Sequence, residues 1–181
     1  MAFYCRRCFS INPVVRIRDR AASQTRDVPV PSGWTLFRPV LFTRDSRFVF
    51  FDGDGPNGFS VLRWQQGASH VANLTPGLNA DPTSITSDGA IVAFVSDSAG
   101  IVPGDTNRST DLFRKVIATG EVRRLDLGSS GNQIQHGVSP TPFQAFMSAN
   151  GHWAAWPSKG TDIVANDTNT VSDTFERGPI P

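Results

Sequence analysis

Short runs of β-branched and aromatic residues recur along this chain between Gly, Asn, Asp and Pro, and no stretch of useful length places apolar residues at helical spacing. That rhythm predicts strands throughout. In the middle of the chain it predicts a first strand over Thr83–Thr86 and a tight turn at Asp88-Gly89, whose glycine tolerates positive φ. A largely apolar inner strand over Ile91–Ser96 follows. After a long connection come Leu112–Ile117, a Thr119-Gly120 turn and Val122–Leu125, where Arg123 and Arg124 mark an outer edge. Four antiparallel strands make one sheet.

The pattern is written more than once. Asp105-Thr106-Asn107 followed by Asp111-Leu112-Phe113 returns 62 residues later as Asp167-Thr168-Asn169 followed by Asp173-Thr174-Phe175. The same offset superposes Gly89 on Gly151, Ala93 on Ala155, Phe94 on Trp156, Ser96 on Ser158, and Ile101-Val102 on Ile163-Val164. Upstream, Val40–Thr43, an Asp45-Ser46 turn, Phe48–Phe51, Phe59–Trp64, a Gln66-Gly67 turn and Val71–Leu74 repeat the meander, with Phe51 lying 43 residues before Phe94. A unit of about 40–45 residues with four strands has the size of a propeller blade, which stacks on copies of itself because its apolar faces cannot be buried alone. The expectation is an all-β partial propeller with blades over 34–76 and 77–127 and a truncated third over 138–177. Residues 1–33 are expected to form a basic, disordered leader and 178–181 a tail.

A family resemblance rests on the middle copy. Its residues are Pro82, Ile85, Asp88-Gly89, Val92-Ala93-Phe94, Ser96, Ile101 through Asn107, Asp111-Leu112-Phe113, and Ala118 through Leu125 without position 123. Together they resemble the TolB-like, WD-type β-propeller repeats of bacterial envelope and secreted proteins. The third copy follows as far as it runs, with Asn150 for the turn Asp and Ala165-Asn166 for Pro103-Gly104. The first follows in strand rhythm only, carrying Asp52-Gly53-Asp54-Gly55 in place of the long connection. The resemblance implies a fold and a habit of binding rather than a reaction. It also implies a periplasmic or secreted setting, although no signal peptide is written in the chain. A closed propeller needs at least about four blades, so further blades or other copies are expected to complete it.

Composition narrows the partners. A formal charge of +1 argues against nucleic acid as the main partner, and no segment is long and apolar enough to span a bilayer. Six Arg against Asp19 and Asp27 make the first 30 residues basic; their Arg and Ser content faintly resembles a transit peptide, but Pro13 spoils a helical stripe. Cys5 and Cys8 are the only cysteines, and their C-x-x-C lacks the second ligand pair of a zinc knuckle, leaving only distant His70, His136 or His152 to borrow.

Candidate chemistry centres on the duplicated connection. Asp105, Asn107, Ser109 and Asp111 put oxygen-bearing side chains at alternate positions, as a calcium loop does. The copy has Asp167, Asn169 and Asp173, with Val171 at the position of Ser109. The competing reading has these side chains satisfying backbone amides in Asx turns. Neither loop has the glycine and distal Glu of a helix-flanked calcium hand. No catalytic constellation emerges: there is no serine elbow, H-E-x-x-H or phosphate loop, and Ser148–Trp153 compresses the spacing of a sialidase-type Asp box. Phe94, Phe113, Trp156 and Phe175 occupy equivalent positions and are expected in the core. Asn73, Asn107 and Asn166 open glycosylation triplets that carry little weight without an export signal. The expected function is a non-catalytic scaffold for a protein or glycan partner, with no cofactor beyond calcium; the alternative is the propeller part of a larger peptidase or glycosidase.

Overall fold

The computed structural model describes residues 2–3, 15–138 and 145–180, without the side chains of 2–3 and 37–39. Cys5 and Cys8 lie outside the described residues. Among those described there are strands and no helix, hence none able to cross a membrane. The strands fall into four antiparallel sheets, each a meander in which neighbours in sequence are neighbours in space.

The first complete blade is β4 (Thr35–Phe42), β5 (Phe48–Gly55), β6 (Gly58–Gln65) and β7 (Val71–Asn73). The second is β8 (Ala80–Ile85), β9 (Ile91–Ser96), β10 (Asp111–Val116) and β11 (Val122–Arg124). The third sheet has three strands, β12 (Phe146–Met147), β13 (Ala154–Ser158) and β14 (Asp173–Arg177). In the first strand of both complete blades the register shifts, between Phe37 and Val40 and between Pro82 and Ser84. A proline lies within the first shift, Pro39, and at the start of the second, Pro82, each lacking an amide for the ladder beside the bulge. Asp52 through Gly55, expected as an irregular connection, instead prolong β5 and turn tightly through Gly58 at φ 87° into β6.

Within residues 1–33, expected to be a basic, disordered leader, the described residues include strands. β1 (Ala2–Phe3), β2 (Arg16–Asp19) and β3 (Gln24–Asp27) form a further sheet. The Val28 amide donates to the Val15 carbonyl at 2.8 Å, as the Leu125 amide does to the Leu112 carbonyl at 2.7 Å. The hairpin is therefore built like the outer half of a blade. Arg16, donating to Asp27 at 2.9 Å, lies on the side away from Ile17, whereas Arg26 stands opposite Ile17; Val15, Ile17 and Val28 pack on Val49, Phe51 and Trp64. Burial of that apolar side is what orders it.

One apolar layer fills each gap between successive sheets. Between the hairpin and the first blade lie Phe51, Leu62 and Trp64; between the two blades lie Phe50, Val92, Phe94 and Phe113; behind the second blade lie Val95, Leu112, Leu125 and Trp156. Phe51, Phe94 and Trp156 face the preceding sheet and are 0–1% exposed, whereas Phe175 is half-buried. Phe94 stacks on Phe113 with centroids 5.5 Å apart, and Trp156 meets Phe175 at 6.4 Å.

The first turn of each blade is a linking device. Thr43 donates its hydroxyl to Asp45, Thr86 to Asp88, and Ser148 to Asn150, each at 2.7 Å. The same Asp or Asn oxygen accepts the amide two residues on, from Arg47, Ala90 or His152. The Arg47 and Ala90 amides, then the threonine hydroxyls, hold Asp45 and Asp88 below the usual carboxylate range. These turns join one another, since the Arg44 amide donates to the Ser87 carbonyl and the Ser87 amide to the Ala149 carbonyl, both at 2.9 Å. Gly89, at φ 71°, lies where a Cβ would stand 2.6 Å from the Thr43 methyl, and Gly151 repeats the approach to Thr86 at 3.2 Å. The spacing between blades is set by glycine at these two places.

Candidate functional site

The duplicated connection folds around a guanidinium. A single Arg124 nitrogen donates to Asp105 and to Asp111, at 2.6 Å each, with all three side chains 1–4% exposed. The guanidinium carbon also lies 5.6 Å from the centre of the Phe113 ring. Asn107 donates to Asp111 at 3.1 Å and to the Ile134 carbonyl at 2.7 Å, and its own oxygen accepts the Ser109 amide at 3.3 Å. The Ser109 hydroxyl donates to the Gln135 carbonyl at 2.9 Å. Of the four residues expected in a calcium loop, Asp105 and Asp111 meet on Arg124 and Asn107 joins them through Asp111, while the Ser109 hydroxyl turns to the Gln135 carbonyl. The Asx turn at Asn107 is present as well.

A further acid belongs to this network. Asp126 is 0% exposed. Burial pushes its carboxyl well above the usual range, with the Asp111 charge adding to the effect and the Arg124 charge opposing it. Burial raises Asp111 too, against the lowering effects of Asn107 and Arg124. Asp126 and Arg124 were not singled out as site residues from sequence. The only signal was the place of Arg124 at the end of an outer strand, two residues before Asp126 and one connection away from two acids.

The copy repeats the loop without the guanidinium. Asn169 donates to Asp173 at 2.9 Å and accepts the Val171 amide at 3.0 Å, matching Asn107. Asp167, Asp173 and Phe175 are half-buried, and Val171 is 56% exposed. The 62-residue offset carries Arg124 past Pro181, the last residue of the chain. A cavity of about 350 Å³ lies against Val164, Asp167, Asn169, Asp173 and Phe175. Among the described residues no three of His, Cys, Asp or Glu are gathered into a metal-holding set.

A second acidic group sits between the two complete blades. Asp52 is 4% exposed, and burial, then the charge of Asp81, pushes its carboxyl up to about 8. Burial raises Asp81 as well, and the two carboxyls are hydrogen-bonded. Asn79 donates to Asp97 beside them at 2.7 Å. By the 43-residue offset, Asp52 corresponds to Val95 of the next blade, an apolar core residue. Against the hairpin, a cavity of about 500 Å³ is lined by Ile17, Arg18, Arg20, Phe42, Asp45 and Trp64. His70, His136 and His152 are exposed, and the His152 ring bonds the Ile180 carbonyl at 3.1 Å.

Neither a protein-family model nor a curated protein matches the chain. Solved structures do. TolB from Acinetobacter baumannii superposes with a TM-score of 0.58 at 16% identity, over 94% of this chain and 36% of that one. A putative TolB from Agrobacterium tumefaciens gives 0.59 at 11% identity, over 91% and 51%. An uncharacterized protein from Listeria monocytogenes EGD-e gives 0.51 at 8%, over 92% and 46%. The likeness is one of fold, a TolB-like β-propeller, and the chain spans 36–51% of the length of these structures.

Proposed function

We propose that this chain is a non-catalytic propeller segment that presents sheet edges and loops to a protein or glycan partner. The observation that carries the reading is the use to which the most conspicuous acids are put. Asp105 and Asp111 turn inward onto Arg124, with Asp126 buried near them, so the loop is spent on holding its blade together. Weak calcium binding belongs, in this reading, at Asp167, Asn169 and Asp173, where no guanidinium stands. A periplasmic or secreted location accords with the TolB-like fold.

The hydrolase alternative draws on one specific observation, the Asp52–Asp81 pair, two carboxyls side by side with the Asp52 group pushed up to about 8 by burial and then by the Asp81 charge, as in acid–base sites. Its burial between blades argues for a structural joint. Chromogenic peptide and glycoside substrates, tested beside peptide and glycan arrays, separate the two readings. Retention on an array without turnover supports the scaffold. Turnover abolished by Asp52→Asn in a protein of unchanged circular dichroism would replace it with the hydrolase.

A further inference from the structure

Resting on the scaffold reading and naming its partner, we infer that the outer edge of β14 receives an extended peptide segment, supplied from outside these 181 residues, with an arginine opposite Phe175 and an apolar residue after it. The second blade is the template. There β11 lies against β10 with Arg124 opposite Phe113, and Arg124 spans Asp105 and Asp111. Val116 donates its amide to Glu121 at 2.9 Å, and the Leu112 carbonyl accepts from Leu125 at 2.7 Å. In the third sheet every half of that arrangement that β14 and its loop can supply is present. Asp167 and Asp173 stand for Asp105 and Asp111, Asn169 bonds Asp173 as Asn107 bonds Asp111, and Phe175 stands for Phe113.

What is missing is the other half. Among the described residues no strand pairs with the outer edge of β14, so the Thr174 carbonyl and the Gly178 amide, equivalents of the Leu112 carbonyl and the Val116 amide, face no partner strand. The cavity against Asp167, Asp173 and Phe175 occupies the place of the Arg124 guanidinium. A second one, of about 230 Å³, is lined by Leu127, Trp156, Ile163 and Phe175 and lies beside the edge. Strand addition supplies backbone hydrogen bonds, and a side chain placed in a charged pocket supplies selectivity. Arginine suits the pocket because its planar fork reaches two carboxylates at once while its face lies on a ring. An acidic residue opposite Phe175, in place of the arginine, would meet Asp167 and Asp173 with like charge.

The chain itself supplies a probe, a labelled synthetic peptide of sequence Gly-Glu-Val-Arg-Arg-Leu-Asp-Leu-Gly, copied from residues 120–128. Fluorescence anisotropy with the full chain, in chelator so that calcium cannot take the acids, should show saturable binding. Alanine in place of the peptide's second arginine, or Asp173→Asn in the protein, should weaken it by at least about thirtyfold, the usual loss when one partner of a buried charge pair is removed. Alanine for the first arginine, the counterpart of exposed Arg123, should change it less than about fivefold. Amide exchange should slow at Gly178 in the complex. No binding to a chain whose circular dichroism is unchanged, or binding indifferent to the second arginine, would overturn the inference. Concentration-dependent dimerisation of the chain alone, lost in Asp173→Asn, would assign the edge to a second copy and equally overturn it. Array ligands still held by Asp173→Asn protein would leave the scaffold reading standing while the edge proposal fell.

Discussion

Arg124→Ala tests the central network most directly. The substitution removes two charge-assisted hydrogen bonds of 2.6 Å and the cation facing the Phe113 ring, at a site where the arginine is 4% exposed and the acids 1–2%. What remains is Asp105, Asp111 and Asp126 buried together with no counter-charge. Removing one member of a buried ion pair costs about 3–5 kcal/mol, chiefly through the charge left behind. Arg123→Ala, one position away, removes a half-exposed partner of Glu121 and should cost about 0.2–1 kcal/mol. Asp111 and Asp126 can relieve the larger loss by taking up protons, as burial already inclines them to do. Without Arg124 their native carboxyls rise further above the unfolded value, so the native state binds more protons than the unfolded one. Stability of the variant then falls as pH rises above the ordinary carboxylate range, and its deficit against the parent is smaller at pH 5 than at pH 8. Urea unfolding of parent and both variants at the two pH values measures this. A cost under about 1 kcal/mol for Arg124→Ala, or a deficit equal to that of Arg123→Ala at both pH values, would show that the network holds nothing together.

Phe94→Ala empties a fully buried ring from the layer between the blades and should cost about 3–5 kcal/mol in chemical unfolding; an unchanged midpoint would place the ring outside the core. Asp52 is raised to about 8 in the folded chain, so its contribution is present below the ordinary carboxylate value and lost as pH climbs from about 4 through about 8. Melts across that window should fall for the parent and flatten for Asp52→Asn, and parallel curves would show that Asp52 titrates normally. Millimolar calcium should raise the melting midpoint slightly through the second loop, by about 0.5–1.5 kcal/mol for a dissociation constant near 10⁻³ M, and Asp167→Asn should abolish the rise. A rise that survives that substitution would place the ion elsewhere.

Most of the fold is written locally. The middle inner strand, expected over Ile91–Ser96, runs over those residues, because a β-branched and aromatic run closed by Asp88-Gly89 has few other conformations open to it. The recurring Thr-x-Asp, Thr-x-Asp and Ser-x-Asn turns follow from side-chain-to-backbone bonds within five residues of sequence, so the blade rhythm was legible at 43 and 62 residues. The hairpin over residues 16–27 was not. Its arginines dominate the composition, and its order comes from an apolar side that exists only once Val49, Phe51 and Trp64 are placed against it.

The duplicated Asp and Asn residues announced a loop that binds something, and their spacing is as consistent with a metal ion as with turns. Only the tertiary structure put Arg124 between Asp105 and Asp111, because the residue that neutralises them comes from a different strand, 13 and 19 positions away. In the same way nothing local distinguishes Asp52 from a solvated turn acid; its carboxyl is pushed up to about 8 by burial between the blades and then by the charge of Asp81, which comes from the next blade. Sequence by itself determined strand, turn and repeat, which are set by steric and hydrogen-bonding preferences over a few residues. Which charges are buried, and by what they are answered, depended on packing between segments far apart in the chain.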